Sequence, residues 1–583
     1  MKRTYATFSR LIVLIGVCAA SLAAAATASA IDDTLQHASR TTGLPGSPAN
    51  GISTTSHEAI GVNSDGHTLV AFSSFASNLG STLNYQAYVR NLTTGEVTRA
   101  SKTTNGDFLD SDADNVAISG NGRYVVFQSS GAYAAGDTDG EIDIFRHDLQ
   151  TGETINVSVP SGGNGDRASE RPSISHDGNV IAFYSSADLV PADDSDPGNT
   201  TDFDGDIYAR NVSAGTTTLI SVNSAGSEVP NDLVQPEASV SGDGQIVAFV
   251  SDGDLSPNDS SSVGGEVYVR SVDGTTPTEA VSLTDGEASP SDGSFSTMPA
   301  VDFDGSHIAF KSNAMNLTGL PYFQYNIIVR DRDAGTTQIA SLAAADSPGD
   351  ENAIVDLPAI SDDGRYVSFE TEDTSFAAGT FEDVVEIYLR DMALPYGAAL
   401  ISKTPDGTPG NDGSSYNSSV SPDGSAVAFT ANMSNLLSAF GASTAPAFSQ
   451  VFIGGAGEQS LPPTGGGPGG ENPSPPPVAT PFPPTVAKPK LAKKKFKAGK
   501  KLGTKLTLTA GEAGTLTGTY MKGKKKAGGF TAKLKAGKNT VKVTGLVKRK
   551  KLKAGSYKLR LTLKSAATGL ISKPVTLSFK ITR

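Results

Sequence analysis

The sequence predicts an all-β chain with two folded units, and three observations predict it. A hairpin motif built on Ser-x-Asp-Gly or a weaker form of it recurs seven times, five copies are followed by a strand of the type "IYLR", and helical periodicity is almost absent. Four strands per repeat, seven times over, is the pattern of a β-propeller, a ring of small sheets that leaves no long exposed edge. At 583 residues the chain is also too long for a single ordinary core.

The N-terminus comes first. Lys2, Arg3 and Arg10 precede an apolar run that reaches about Ala26, and "TASA" ends small-x-small at Ala28-Ser29-Ala30. That is the three-part anatomy of a secretory signal peptide over 1–30, with cleavage after Ala30 and export of the rest. The single cysteine, Cys18, lies inside this segment after Val17, which is too large for a lipoprotein signal, so the mature chain has no thiol. No later run reaches the ~20 apolar residues of a membrane helix.

The repeats follow over 31–454. The clearest copies are "PSISHDGNVIAFYSSADLV" (172–190), "ASVSGDGQIVAFVSDGDL" (238–255), "PAISDDGRYVSFETED" (358–373) and "SSVSPDGSAVAFTANMSNL" (418–436). Weaker copies lie at 60–79, 116–130 and 299–317. Anchored on their turn residues Asp65, Asn121, Asp177, Asp243, Asp304, Asp363 and Asp423, they step by 56, 56, 66, 61, 59 and 60 residues. In each, an alternating strand ends at a glycine turn and a second strand such as "VIAF" returns. A third strand follows ("AYVR" 87–90, "IYAR" 207–210, "VYVR" 267–270, "IIVR" 327–330, "IYLR" 387–390), and then a short fourth. The seventh copy stops at its third strand, "QVFIG" (450–454), whereas "DTLQHASRTTG" (33–43) precedes the first copy and reads like a missing fourth strand. The N-terminal strand is therefore expected to complete the last sheet and clasp a seven-bladed ring.

The repeat Ser-Pro-Asp-Gly / "AF.S" / "IY.R" resembles the TolB-like propellers, relatives of the WD-repeat fold, in a form similar to large secreted propellers of actinobacteria. The resemblance implies the fold; for function it implies only a class in which such rings serve as binding platforms, periplasmic partners and occasional enzymes. At 144–148, "IFRHD" departs from it by placing His147 where other copies have arginine. The recurring Arg90, Arg210, Arg270, Arg330 and Arg390 are expected to pair with acidic groups of the neighbouring sheet rather than to form an anion-binding ring.

Catalytic signatures are thin. Of six histidines, His67, His176 and His307 fall at or beside the hairpin turns, expected to be solvent-exposed points, and "HEAIG" (57–61) only begins like a zinc motif. No GxSxG elbow occurs. The best local constellation is "GDTDGEID" (136–143): Asp137, Asp139 and Asp143 follow D-x-D-G-x-x-D, with oxygen ligands at alternate positions as Ca²⁺ requires. "TDFDGDIY" (201–208) offers Asp202, Asp204 and Asp206 at the matching connection of the next repeat, with a different final spacing. Calcium is the one cofactor these loops suggest.

Residues 455–489 form a Pro/Gly-rich linker that cannot bury a core. Its "LPPTG" fits a sortase signal, but more linker and about 95 residues of patterned sequence follow instead of a hydrophobic segment and short basic tail, so the stretch reads as a joint. Residues 490–583 alternate apolar residues with Lys, Thr or Arg, as in "GSYKLRLTLKS", and predict a Lys-rich β-sandwich of about seven strands. "LKAGSYKLRLTL" (552–563) resembles the closing hairpin of bacterial immunoglobulin-like modules.

Charge separates the two parts. Residues 486–583 hold 25 Lys, 3 Arg and one acid, Glu512, for a net +27 in a chain of −14, which leaves −41 on the rest. So dense a positive field favours polyanions, through Lys493, Lys494, Lys495, Lys524, Lys525, Lys526, Lys548, Arg549, Lys550 and Lys551. Lysine outweighs arginine, which implies point-charge attraction rather than planar bidentate recognition. The sequence thus predicts an exported, monomeric, non-catalytic protein. Its propeller loops would bind a protein or glycan, and its basic domain would hold anionic envelope polymers. Alternatives are an extracellular bridging protein whose two charge fields join components, and a polysaccharide lyase or hydrolase at the propeller's central face.

Overall fold

The computed structural model describes residues 35–81, 84–160, 167–190, 205–229, 234–257, 264–290, 294–319, 324–343, 355–441, 448–455, 486–498, 504–510, 514–522, 525–535, 537–547, 550–565 and 575–582. Ala30, Asp202, Asp204, Lys524, Lys548 and Arg549 lie outside them. The chain divides into two compact units, 1–464 and 465–583. No helix among the described residues is long and apolar enough to cross a membrane.

Among its described residues the first unit is built from seven antiparallel sheets, six of four strands and one of five. The third sheet runs Ser169–Ile174, Val180–Ser185, Asp206–Asn211, Thr216–Leu219 in simple up-and-down order, and the others repeat it. Each sheet packs its first strand on the sheet before it, and the seventh packs on the first, so the sheets close a cycle. This is a β-propeller arrangement. The last sheet takes its fourth strand from the other end of the chain: Gln36 pairs with Ile453 and His37 with Phe452. Arg40 fastens the same strap by donating to the Gly46 and Phe440 carbonyls.

The Ser-x-Asp-Gly motif has a physical account at every atom. In the third sheet Ser175 Oγ donates to Asp177 (2.9 Å), the Asn179 N–H also donates to Asp177 (2.9 Å), and the Val180 N–H donates back to Ser175 Oγ (3.0 Å). The same bonds recur at Ser361/Asp363 and Ser421/Asp423. The glycine supplies positive φ, +74° at Gly178, and a second property as well: a Cβ there would lie 2.1 Å from the Tyr124 ring of the preceding sheet. Turns are bonded to one another around the ring, Asn121 N–H to His176 O, His176 N–H to Gly242 O, Asp243 N–H to Phe303 O, Phe303 N–H to Asp362 O and Asp362 N–H to Pro422 O. The turns therefore form an interface between sheets rather than free tips.

Cores lie between sheets. One cluster joins Val180, Ala182, Ile207 and Ala209 of the third sheet to Val247, Phe249, Leu255 and Tyr268 of the fourth. In six of the seven sheets the aromatic of the "AF" strand packs on that of the third strand, as for Phe72–Tyr88 and Phe369–Tyr388, while in the fifth Phe310 faces Ile328.

The second unit holds a three-stranded sheet (Val486–Leu491, Thr504–Ala510, Gly537–Val543). Beside it is a five-stranded one (Lys495–Lys497, Val575–Thr582, Gly555–Ser565, Gly514–Lys522, Lys525–Leu534) and a short hairpin of Leu546–Val547 with Lys550–Lys551. The first strand begins at Val486, four residues inside the segment read from composition as linker. One core serves both main sheets, with Leu506, Leu508, Leu516, Tyr520, Leu559, Leu561, Leu563 and Phe579 buried and the alternate lysines exposed.

Candidate functional site

The acidic loop predicted at 136–143 comes together. Gly136 and Gly140, at φ +96° and +79°, turn the chain twice, and Asp143 opens the strand Asp143–Asp148 opposite Ser129. Each of Asp137, Asp139 and Asp143 offers a carboxylate oxygen within 4.8 Å of the others. Asp143 is buried and accepts from Ser158 Oγ at 2.5 Å, while Asp139 accepts from the Glu141 N–H at 3.1 Å. Desolvation first, then the charges of Asp143 and Asp139, push the Asp137 carboxyl up to about 6. Burial raises Asp143 as well. An all-oxygen set of converging carboxylates suits a hard divalent cation, with coordination left over for main-chain carbonyls and water. At the next connection, Asp206 makes the same bond as Asp143, accepting from Ser221 Oγ at 2.5 Å, while Asp202 and Asp204 lie outside the described residues.

The recurring arginines are structural, with a correction to their expected partners. Arg90 donates to four carbonyls, Arg40 O, Thr41 O, Gly43 O and Pro45 O. Arg270 takes Asn223 O and Thr278 Oγ1, and Arg390 takes Gly397 O and Leu394 O. Only Arg330 adds an acid, Glu287, at 2.6 Å. At Arg90, Arg270, Arg330 and Arg390 the acceptors are carbonyls of loops that have no ladder to join, whereas Arg210 donates to Thr217 Oγ1 at 3.0 Å. His147, in the arginine position, is buried, bonds Thr154 Oγ1 at 2.8 Å, and is lowered to about 4, chiefly by burial.

The turn histidines are not free points. His307 Nδ1 lies 2.8 Å from the buried Asp302, with Ser306 Oγ also on that nitrogen at 3.1 Å, while Nε2 faces Asp331 at 3.9 Å. Ser, His and Asp meet here, but serine and aspartate compete for one nitrogen, so the set is no proton relay from serine. His176 lies 3.3 Å from Asp362, three repeats away, because the turns converge on the ring's axis.

Sequence reasoning missed a set of inward-facing side chains. The first strands of five sheets carry a β-bulge with a non-glycine residue at positive φ: Asn115, Arg171, Met298, Leu357 and Asn417. Their neighbours are held by the residue that follows the "AF" phenylalanine of the preceding sheet. Gln128 accepts from Arg171 N–H (2.9 Å), Glu370 from Ser418 N–H (3.4 Å) and Thr430 from Thr55 N–H (2.9 Å), and Lys311 pairs with Asp356 (3.1 Å). Glu58 reaches from the first sheet to the third, accepting from Ser173 Oγ and the Ile174 N–H, both at 2.6 Å. Burial pushes Glu370 up to about 8 and Glu58 up to about 7. The adjacent His57 is lowered by desolvation and by the Arg171 charge. The only signal for this set was the position after "AF", and its residue type changes in every repeat.

In the second unit, of the basic clusters predicted at 524–526 and 548–551, Lys550 and Lys551 line a concavity, whereas Lys525 and Lys526 are exposed outside its lining. Lys522, Ala527, Val547, Lys550, Lys551, Leu552, Lys553 and Tyr557 line a space of about 450 Å³. Lys493 and Lys494 are exposed outside this lining, as is Lys495 on its strand.

No protein-family model matches the chain, and no curated protein does. Among solved structures it is similar to a TolB protein from Agrobacterium tumefaciens, at 14% identity and TM-score 0.33 over 64% of this chain and 97% of that one. It is also similar to a prolyl endopeptidase, at 13% identity and TM-score 0.39 over 79% of this chain, spanning about half (54%) of the endopeptidase. A third is hydrazine synthase from Kuenenia stuttgartiensis, at 13% identity and TM-score 0.35 over 68% of this chain and 95% of that one. At such values no residue role transfers, and the closed cycle of sheets identifies the fold by itself.

Proposed function

We propose that this chain is an exported, non-catalytic binding protein. The signal peptide 1–30 directs secretion, and a seven-bladed TolB-like propeller of the actinobacterial kind presents its loops to a protein or glycan. An immunoglobulin-like basic module then holds the chain on anionic polymers of the cell envelope. The observation that carries the reading is the partition of charge, +27 on 486–583 against −41 elsewhere. A field that dense releases counterions when it meets a polyanion, so attachment is strong at low salt and steeply salt-dependent. The 137/139/143 loop is a Ca²⁺ site that would fix the connection between the second and third strands of its sheet.

The test is cosedimentation of the full chain with bacterial envelopes across a NaCl series. The reading expects the bound fraction to fall steeply from about 50 to 200 mM. Binding that ignores salt, or none at low salt, overturns it.

A further inference from the structure

The concavity of the second unit is made by one irregularity in strand pairing. On the hairpin of Gly514–Lys522 with Lys525–Leu534, Tyr520 faces Gly528 and Met521 faces Lys526, so Ala527 is an extra residue on its strand. Such a bulge turns its side chain out of the ladder, and Ala527 lines the cavity. Gly528 has φ +131°, and a Cβ there would meet Val547 at 2.3 Å; its absence lets the 546–551 hairpin close against the bulge. The apolar floor is then Ala527, Val547 and Leu552; Tyr557 also borders the space but is largely buried, its hydroxyl donating to Lys553 O at 2.8 Å. Over this floor stand exposed Lys522, Lys550, Lys551 and Lys553, with Lys522 Nζ 5.9 Å from the Tyr557 ring centre.

Resting on the anchor reading, we infer that this concavity is a binding site for carboxylated sugar residues within an acidic polysaccharide. The rim answers negative charge, and the floor answers the C–H faces of a pyranose ring. The volume lies within the ~300–1,000 Å³ range of small-ligand sites. A bare phosphate chain matches the rim but has no apolar face to cover the floor. A nucleic acid needs exposed aromatic faces for its bases, whereas Tyr557 is only 5% exposed. With no arginine in the lining, the carboxylate is held by point charges, and selectivity comes from the ring on the floor.

The test uses the full chain with polygalacturonate, polyphosphate and neutral dextran as probes. Three variants are compared with the wild type: K550Q/K551Q/K553Q on the rim, K493Q/K494Q/K495Q as a charge-matched control, and A527L, which fills the floor without changing charge. The wild type is expected to prefer polygalacturonate, and the rim variant to lose at least about tenfold more affinity than the control. A527L should remove the preference while polyphosphate binding and the melting temperature stay unchanged. Equal losses in the rim and control variants, or an A527L chain that keeps the preference, overturn the site while leaving the anchor reading intact. A wild type that binds neither polyanion at low salt overturns both.

Discussion

Glu58 of the first sheet accepts a hydrogen bond from the main-chain N–H of Ile174 in the third, at 2.6 Å. This joins residues that the repeat places two sheets apart. Glu58, in a turn of the first sheet, and Glu370, on the second strand of the sixth, are both desolvated carboxyls, and their protonation is tied to the stability of the ring.

Both acids are raised from 4.5, to about 7 for Glu58 and about 8 for Glu370, chiefly by burial. Between those limits the unfolded chain has lost protons that the folded chain still holds, so folding is favoured at low pH and weakened as pH rises. The slope is on the order of 1.4 kcal/mol per pH unit for each group. Chemical denaturation from pH 5 to pH 8 should therefore show falling stability, and E370Q and E58Q should each flatten the decline, because the amide oxygen keeps the acceptor without the charge.

At the acidic loop, Ca²⁺ should raise the melting temperature by an amount that saturates, equivalent to about 2.7 kcal/mol at a hundredfold excess over the dissociation constant. Asp137, raised to about 6 without the ion, makes protons compete, so affinity should drop below that pH and binding near pH 6 should release protons. Calorimetry in two buffers of different ionisation enthalpy reads both effects. The D137N/D143N variant should show neither.

Removal of Arg90 should unfasten the clasp. It is 3% exposed and serves four carbonyls between Arg40 and Pro45, next to the strap that pairs with Phe452 and Ile453. R90A should cost about 3–5 kcal/mol, since charge-assisted bonds are lost and buried carbonyls are stranded. Early proteolytic cleavage near residues 40–48 should accompany the loss. R90K should recover little, because an ammonium cannot span four acceptors as the guanidinium fork does.

The turn glycines offer a cleaner stability test. At Gly178 and Gly424 a Cβ would lie 2.1 Å from the rings of Tyr124 and Tyr366, at φ +74° and +73°. G178A and G424A should each destabilise by at least about 2 kcal/mol in urea unfolding, from backbone strain and overpacking together. Y124L should recover part of the G178A loss; additive effects in that pair would contradict the contact.

What could be read in the sequence follows from how far apart the partners are. Ser175, Asp177 and Gly178 form their turn within four residues, so the motif was visible as a motif. Asp137, Asp139 and Asp143 meet within one loop, so their spacing foretold their convergence. Glu58 finds Ile174 116 positions away and Glu370 finds Ser418 48 away, with nothing local to mark either. The arginines were legible as structural, but their carbonyl acceptors belong to loops that no side-chain pattern reveals. The lysine runs were legible as charge, whereas the concavity depends on a bulge at Ala527 and a missing Cβ at Gly528, both set by strand pairing.

The central claim is that the basic second unit, not the propeller, holds the protein on its anionic surface. The most direct measurement compares the full chain with a chain ending at Thr464, the boundary between the compact units, in envelope cosedimentation at low salt. The account predicts that the full chain pellets and the shortened chain stays in the supernatant. A shortened chain that pellets equally well would contradict it and move the attachment site to the propeller.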